Sequence, residues 1–181
     1  MAKRIFFSFH YERDNWRAGV VRNSDVTRED SIFIDAVEWE EVKKKTKTEI
    51  ESWIIEQMKG TSTTIVLIGK ETSTREWVRF EILQSRKKNN SIIGIKIHNI
   101  KDKESKPDSE GNLDFGVIDI DDKGNDLCFE DLYPVYDWVE DDGYHNLEHW
   151  INKHEEAINH KHKHTVEISP NHTQSKWGIC E

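Results

Sequence analysis

The 181-residue sequence predicts an α/β fold: a flavodoxin-like, doubly wound and mainly parallel sheet, carrying an acidic hairpin insertion and a C-terminal helical extension. Three observations lead to it. Four short apolar runs, at 4–9, 31–34, 63–68 and 91–97, are continuous rather than alternating, rich in β-branched and aromatic residues and bounded by turn formers, as buried parallel strands are. Segments of helical spacing lie between them, at 14–23, 48–59 and 74–88. The order β-α-β-α-β-α-β, closed by right-handed crossovers, sets a ligand crevice above the first and third strands.

Each element has its local reason. The first run ends in Ser8-Phe9-His10, and the second is followed by Asp35-Ala36 and then Trp39. From Glu38 to Lys47 the chain is dense in charge, which reads as a mobile loop that must close over the crevice. Thr46 and Glu49 have capping-box spacing, Ile50, Trp53, Ile54 and Met58 follow at helical intervals, and Gly60 stops the helix. Beyond the third run, Ser73 and Glu76 repeat that spacing and predict a helix from about Thr74. Four residues apart on it, Trp77 and Glu81 are stacked neighbours near the end of a buried strand. Taken alone, that spacing is also met by a core Trp beside a solvated Glu.

From Asn99 to Asp131 the chain turns polar and acidic, with Phe115–Ile120 and Leu127–Phe129 as the strands of a hairpin across 121–125. An amphipathic helix or helix pair from about Asp137 to Ile158 carries Trp138, Tyr144, Leu147, Trp150 and Ile151. His160 to Glu181 is a polar, His-rich tail, extended or partly disordered. The chain therefore divides into an α/β core at 1–98, the acidic insertion at 99–132, a helical part packed on the core at 133–159 and the tail at 160–181.

The net charge of −9 is concentrated. Residues 101–142 hold 15 Asp and Glu against 4 Lys, a balance of −11, which leaves +2 for everything else. A phosphate-bearing ligand at the core is thus not repelled by the overall acidity, and without a basic face nucleic acid is not expected as a partner. Two distant cysteines, Cys128 and Cys180, make no disulfide framework and fit a reducing cytoplasm. The apolar run Ile5–Phe9 is too short for a signal peptide, no segment is long enough for a membrane span, and the protein is expected to be cytoplasmic.

Several chemistries lack their motifs: there is no G-x-G-x-x-G, no P-loop and no nucleophile elbow. Asp119, Asp121, Gly124 and Glu130 approach an EF-hand spacing, but Lys123 stands at a ligand position and the flanks read as strands, so a metal-free hairpin turn is expected. The alternating His160, His162 and His164, with His154, His172 and Cys180, lack the paired spacing of a structural zinc site, and no metal is expected there either. What remains at the strand ends is Ser8, Phe9, His10, Asp35, Trp39, Trp77 and Glu81. This set, aromatic and sparingly acidic, suits holding a nucleotide and stabilising a cation.

Those residues bring a resemblance into view. The opening 3–11, Val66-Leu67-Ile68-Gly69, the segment 75–82 and Ile92-Ile93-Gly94-Ile95 are similar to bacterial TIR-like domains, and with 135–144 the chain resembles the TIR component of the Thoeris anti-phage defence system. Catalytic members carry a Trp and a Glu four apart at a helix start, positions held here by Trp77 and Glu81, while Val78 replaces the Cys that many relatives have. The resemblance implies a catalytic role for Glu81 and contacts to substrate from Ser8, Phe9, His10, Asp35, Trp39 and Trp77. It also implies NAD+ as substrate with no separate cofactor, cleavage of the nicotinamide–ribose bond, a diffusible nucleotide that activates an effector protein, and self-association. A non-catalytic TIR adaptor that acts by docking to other TIR surfaces is the alternative.

Overall fold

A computed structural model describes residues 4–24, 31–32, 34 and 36–162, with side chains at 36, 37 and 158–162 outside the description. Five parallel strands form the main sheet: β1 (Ile5–Ser8), β2 (Ser31–Ile32), β3 (Thr63–Ile68), β4 (Ser91–Lys96) and β7 (Val135–Asp137), in the order β2-β1-β3-β4-β7. Helices α1 (Asn15–Arg22), α2 (Ala36–Val42), α3 (Lys47–Gln57), α4 (Glu76–Lys87) and α6 (Gly143–His162) surround it, and a short α5 (Phe129–Leu132) follows the antiparallel pair β5 (Asp119–Ile120) and β6 (Asp126–Leu127). This is the flavodoxin-like arrangement that the sequence predicts. No helix among the described residues is long and apolar enough to cross a membrane.

The continuous apolar runs reflect burial on both faces. Ile65, Leu67, Ile93 and Ile95 pack into one core with residues of α1, α2, α3 and α6, whereas Val66, Ile68 and Ile92 pack into a second with Val78 and Ile82 of α4. The insertion completes that second core with Phe115, Ile118 and Phe129. Gly94 makes room for it, since a Cβ there would come within 2.9 Å of the Phe129 ring.

Four local expectations change. The box at Thr46 and Glu49 is formed, with Glu49 Oε2 accepting the Thr46 N–H at 2.9 Å and Thr46 Oγ1 accepting the Glu49 N–H at 3.4 Å. The one at Ser73 and Glu76 is not: residues 72–74 form a 3-10 turn, Arg75 caps α4 in extended conformation, and the helix starts at Glu76. Other partners outcompete the cap, for the Ser73 hydroxyl donates to Asn112 and Glu76 pairs with Lys47. Second, the expected mobile loop after Asp35 contains helix α2. Its charges obscured an amphipathic pattern in which Trp39 and Val42 are buried while Glu40 and Glu41 pair with Lys43 and Lys44 on the outside.

Third, residues 135–137, expected only as an approach to the last helix, are an edge strand paired with β4, too short to show a strand pattern. Fourth, the hairpin has only two paired residues per strand. Phe115 and Phe129 are drawn into the core instead, and the Arg79 guanidinium takes the place of a partner strand by donating to Phe115 O and, at 2.8 Å, to Val117 O. Of the two cysteines, Cys128 stands at the N-cap of α5 and Cys180 lies outside the described residues. The last helix runs on to His162, and the rest of the His-rich tail, with His164 and His172, also lies outside the described residues.

Candidate active site

The site is built where β1 ends and α4 passes over it. Thr72 Oγ1 accepts the Gly69 N–H at 2.9 Å, which folds the chain back sharply after β3 and aims α4 along the sheet. One turn past Glu81, Ser85 donates to the Glu81 carbonyl and bonds Thr64 Oγ1 of β3, both at 2.7 Å, so the helix is held in rotation as well as in position. That orientation points Glu81 inward at β1. The residue is completely buried, at 0% exposure.

Both carboxyl oxygens have a hydroxyl partner. Ser8 Oγ at the end of β1 donates to Oε2 at 2.5 Å, and Tyr11 OH from the following turn donates to Oε1. Burial pushes the Glu81 carboxyl up to about 8, with the Ser8 and Tyr11 hydrogen bonds pulling the other way. Burial, followed by the charge of Glu81, raises the Tyr11 phenol well above its ordinary value, so it remains a donor. At neutral pH this closed site favours the protonated acid, and anything that brings positive charge to it favours the carboxylate.

A chain of aromatic rings runs on from Tyr11. Tyr11 meets Phe9 edge-on at 4.7 Å and Trp39 of α2 at 4.9 Å; Trp39 meets Trp77 at 6.4 Å, and Trp77 meets Phe80 at 6.0 Å. Phe9 and Trp39 are buried and Trp77 is half-buried. The pair at the head of α4 therefore inverts the bland reading, for the indole keeps some exposure and the carboxyl is the core group. His10 is buried too, its imidazole held below the usual range by burial and then by Arg75, and it lies 3.9 Å from Glu71. Asp35 lies outside the described residues.

A deeply buried carboxyl between two hydroxyls and a set of indoles can hold a flat aromatic group and stabilise a neighbouring cation. Residues 6–102, from β1 through β4, match the family described as Thoeris protein ThsB, TIR-like domain. A protein of Bacillus cereus (strain MSX-D12) named "Putative cyclic ADP-D-ribose synthase ThsB1" is 35% identical over 84% of this chain and the whole of the relative. The chain belongs to the Thoeris ThsB TIR-like family.

The family match takes in Ser8, Tyr11, Trp39, Trp77 and Glu81, while the hairpin, β7 and α6 lie beyond it. Among the expected residues, the structure joins Ser8 to Glu81 directly and brings Trp39 to Trp77. Phe9 meets this group at Tyr11. Tyr11 itself was not singled out from the sequence. Its signal was faint but real: a tyrosine just past a buried strand end must find an acceptor for its hydroxyl, and Glu81 was, with Asp35, one of the carboxyls expected at the crevice.

A second polar group lies beside the site. Asp14 is fully buried, with its carboxyl over Gly69, where a Cβ would come within 2.3 Å of it; burial pushes it up to about 6. Next to it Arg13 holds Asp108 at 2.8 Å, and Arg17 donates to the carbonyl of Ile100 at 2.9 Å. Those two arginines fasten the start of the insertion to α1 and the turn before it.

Proposed function

We propose that this chain is a TIR-type enzyme of anti-phage defence that cleaves the nicotinamide–ribose bond of NAD+ and releases a cyclic ADP-ribose-like or related ADP-ribosyl signal, which activates a partner effector. Glu81 is the catalytic residue. The observation that carries the reading is a buried carboxyl at the end of β1, hydrogen-bonded on both oxygens, with Trp39 packed on its Tyr11 partner and Trp77 on Trp39, in a relative of a protein named for cyclic ADP-D-ribose synthesis.

The chemistry asks for little more. As nicotinamide leaves, the ribose C1′ and ring oxygen gain oxocarbenium character, and a fixed carboxylate stabilises that charge more in the transition state than in the ground state. Nicotinamide departs neutral from a pyridinium, so no second carboxyl is needed to protonate it. Trp39 and Trp77 hold the flat rings; Ser8, His10 and Asp35 contact polar parts of the substrate; Phe9 supports Tyr11 from behind. The cation is captured by an internal nucleophile or another acceptor. Because Glu81 is wholly covered in the state described, α2 with Trp39 must shift to admit NAD+, and self-association or an infection-derived trigger is what favours the open form.

The decisive experiment follows free nicotinamide when purified protein is incubated with NAD+, alone and under conditions that promote self-association. Wild type releases it, Glu81→Gln does not, and protein-free filtrate from the wild-type reaction alone switches on the effector. Switching that requires the intact protein would instead establish the adaptor role.

A further inference from the structure

Tyr11 is the polar group at this site that the substrate-binding set leaves unused, and its surroundings assign it one task. The ring is 3% exposed and pinned on two sides, edge-on against Phe9 and tilted against Trp39. Only the hydroxyl meets a polar atom, and that atom is Oε1 of Glu81. We infer that Tyr11 is a positioning residue for NAD+ cleavage: its hydroxyl orients the Glu81 carboxyl and sustains the charged form on which the reaction depends.

The argument is one of charge balance, and it rests on the enzymatic reading above. Among the described residues, the influences on the Glu81 charge are burial, which opposes it, and the Ser8 and Tyr11 hydroxyls, which favour it, with no lysine or arginine among them. The groups around the pair are Ser8 of β1 and Phe9 just after it, Trp39 and, acting on Tyr11, the like charge of Glu38 from α2, and Trp77 and Phe80 from α4. Two neutral dipoles therefore do what a cation does in other buried carboxylate sites. Among the described residues no other donor meets the Glu81 oxygens, so when one is lost the carboxylate becomes harder to form while the ring packing stays as it was.

The test pairs a titration without substrate with a rate profile. Glu81 is followed by its side-chain carboxyl ¹³C resonance in glutamate-labelled protein, assigned by its loss in Glu81→Gln. In Tyr11→Phe the midpoint is expected to rise by about one pH unit, the scale of one hydrogen bond to a charged group. The acid limb of the kcat/KM profile for nicotinamide release, which reports the free enzyme, moves up with it, giving roughly tenfold lower kcat/KM at neutral pH and recovery toward wild type on the alkaline plateau. A fluorinated tyrosine at position 11 keeps the ring and strengthens the donor, so it moves the midpoint and the acid limb down; it also serves if Tyr11→Phe does not fold. An unmoved Glu81 midpoint, or a loss of rate by the same factor at every pH, overturns the assignment. Wild-type protein that releases no nicotinamide under any condition overturns the enzymatic reading, while the substrate-free titration still decides whether Tyr11 governs Glu81.

Discussion

The burial of Glu81 has a consequence for stability that needs no substrate to observe. Its carboxyl is raised from an ordinary 4.5 to about 8 in the folded chain, so the native state binds that proton more tightly than the unfolded state does. The contribution to stability is fully present below pH 4.5, declines as pH rises and is lost by about 8. A shift of about 3.5 units corresponds to roughly 5 kcal/mol in all, of which about 3 kcal/mol is already lost at pH 7. With a urea slope of about 2 kcal/mol per molar, that is a fall of roughly 1.5 M in the unfolding midpoint between pH 4.5 and 7. Glu81→Gln keeps the shape and never ionises, and the Ser8 and Tyr11 hydroxyls can donate to its carbonyl or accept from its amide. Urea unfolding of both proteins from pH 5 to 8.5 isolates the effect, because Asp14 and the histidines titrate alike in the two and cancel in the difference. The variant should gain on wild type steadily up to about pH 8 and then hold level; parallel curves across that range would refute the claim that a charged Glu81 is costly in the closed fold.

The same logic predicts that NAD+ binding releases protons. The pyridinium favours the Glu81 carboxylate, so calorimetry near pH 7 in buffers of different ionisation enthalpy should report a release approaching one proton per site, absent in Glu81→Gln. Trp77→Ala is expected to lower nicotinamide release at least tenfold; because the indole is half-buried, urea unfolding should show a cost below the ~3–5 kcal/mol of a fully buried tryptophan. Calcium titration of the hairpin should give no saturable heat. The Asp121 carboxylate already accepts the N–H groups of Lys123 and Asn125 and the Asn125 amide, each at 2.8 Å, and Asp119 is taken by Arg86, so a stoichiometric signal lost in Asp121→Ala would reverse this view.

The parts of the fold that could be read from the sequence are those set by burial over several residues. The runs Thr63–Ile68 and Ser91–Lys96 are apolar on both faces because both faces are covered, and they declare themselves without context. The box of Thr46 and Glu49 is equally local and forms as its spacing implies. Val135–Asp137 is different: it becomes a strand only because the edge of β4 is open to it. Helix α2 was hidden by its charges, and the cap at Ser73 was lost to a partner 39 residues away in the insertion. In the candidate site, the spacing of Trp77 and Glu81 put the two on neighbouring turns of one helix, as α4 has them. It could not show which of the two points inward, since that depends on the Ser85–Thr64 contact holding the helix in rotation.

That rotation also indicates which piece of the site can move. Helix α4 is fastened on both sides, to β3 through Ser85 and Thr64 on its inner face and to the insertion through Arg79 and Arg86 on its outer face. Glu81 therefore sits on a fixed support, and Ser8 belongs to a central strand paired on both sides. Among the described contacts, helix α2 is held by the burial of Trp39 and Val42 and, just past its end, by exposed pairs of the kind worth about 0–1 kcal/mol, such as Lys43 with Glu12 at 2.8 Å. Opening the crevice by moving α2 breaks aromatic packing and a few weak ion pairs, whereas moving α4 would break buried hydrogen bonds and both cores. The cheaper motion uncovers Glu81 from the Trp39 side, which puts substrate entry, and any partner that promotes it, at α2 rather than at the acidic insertion.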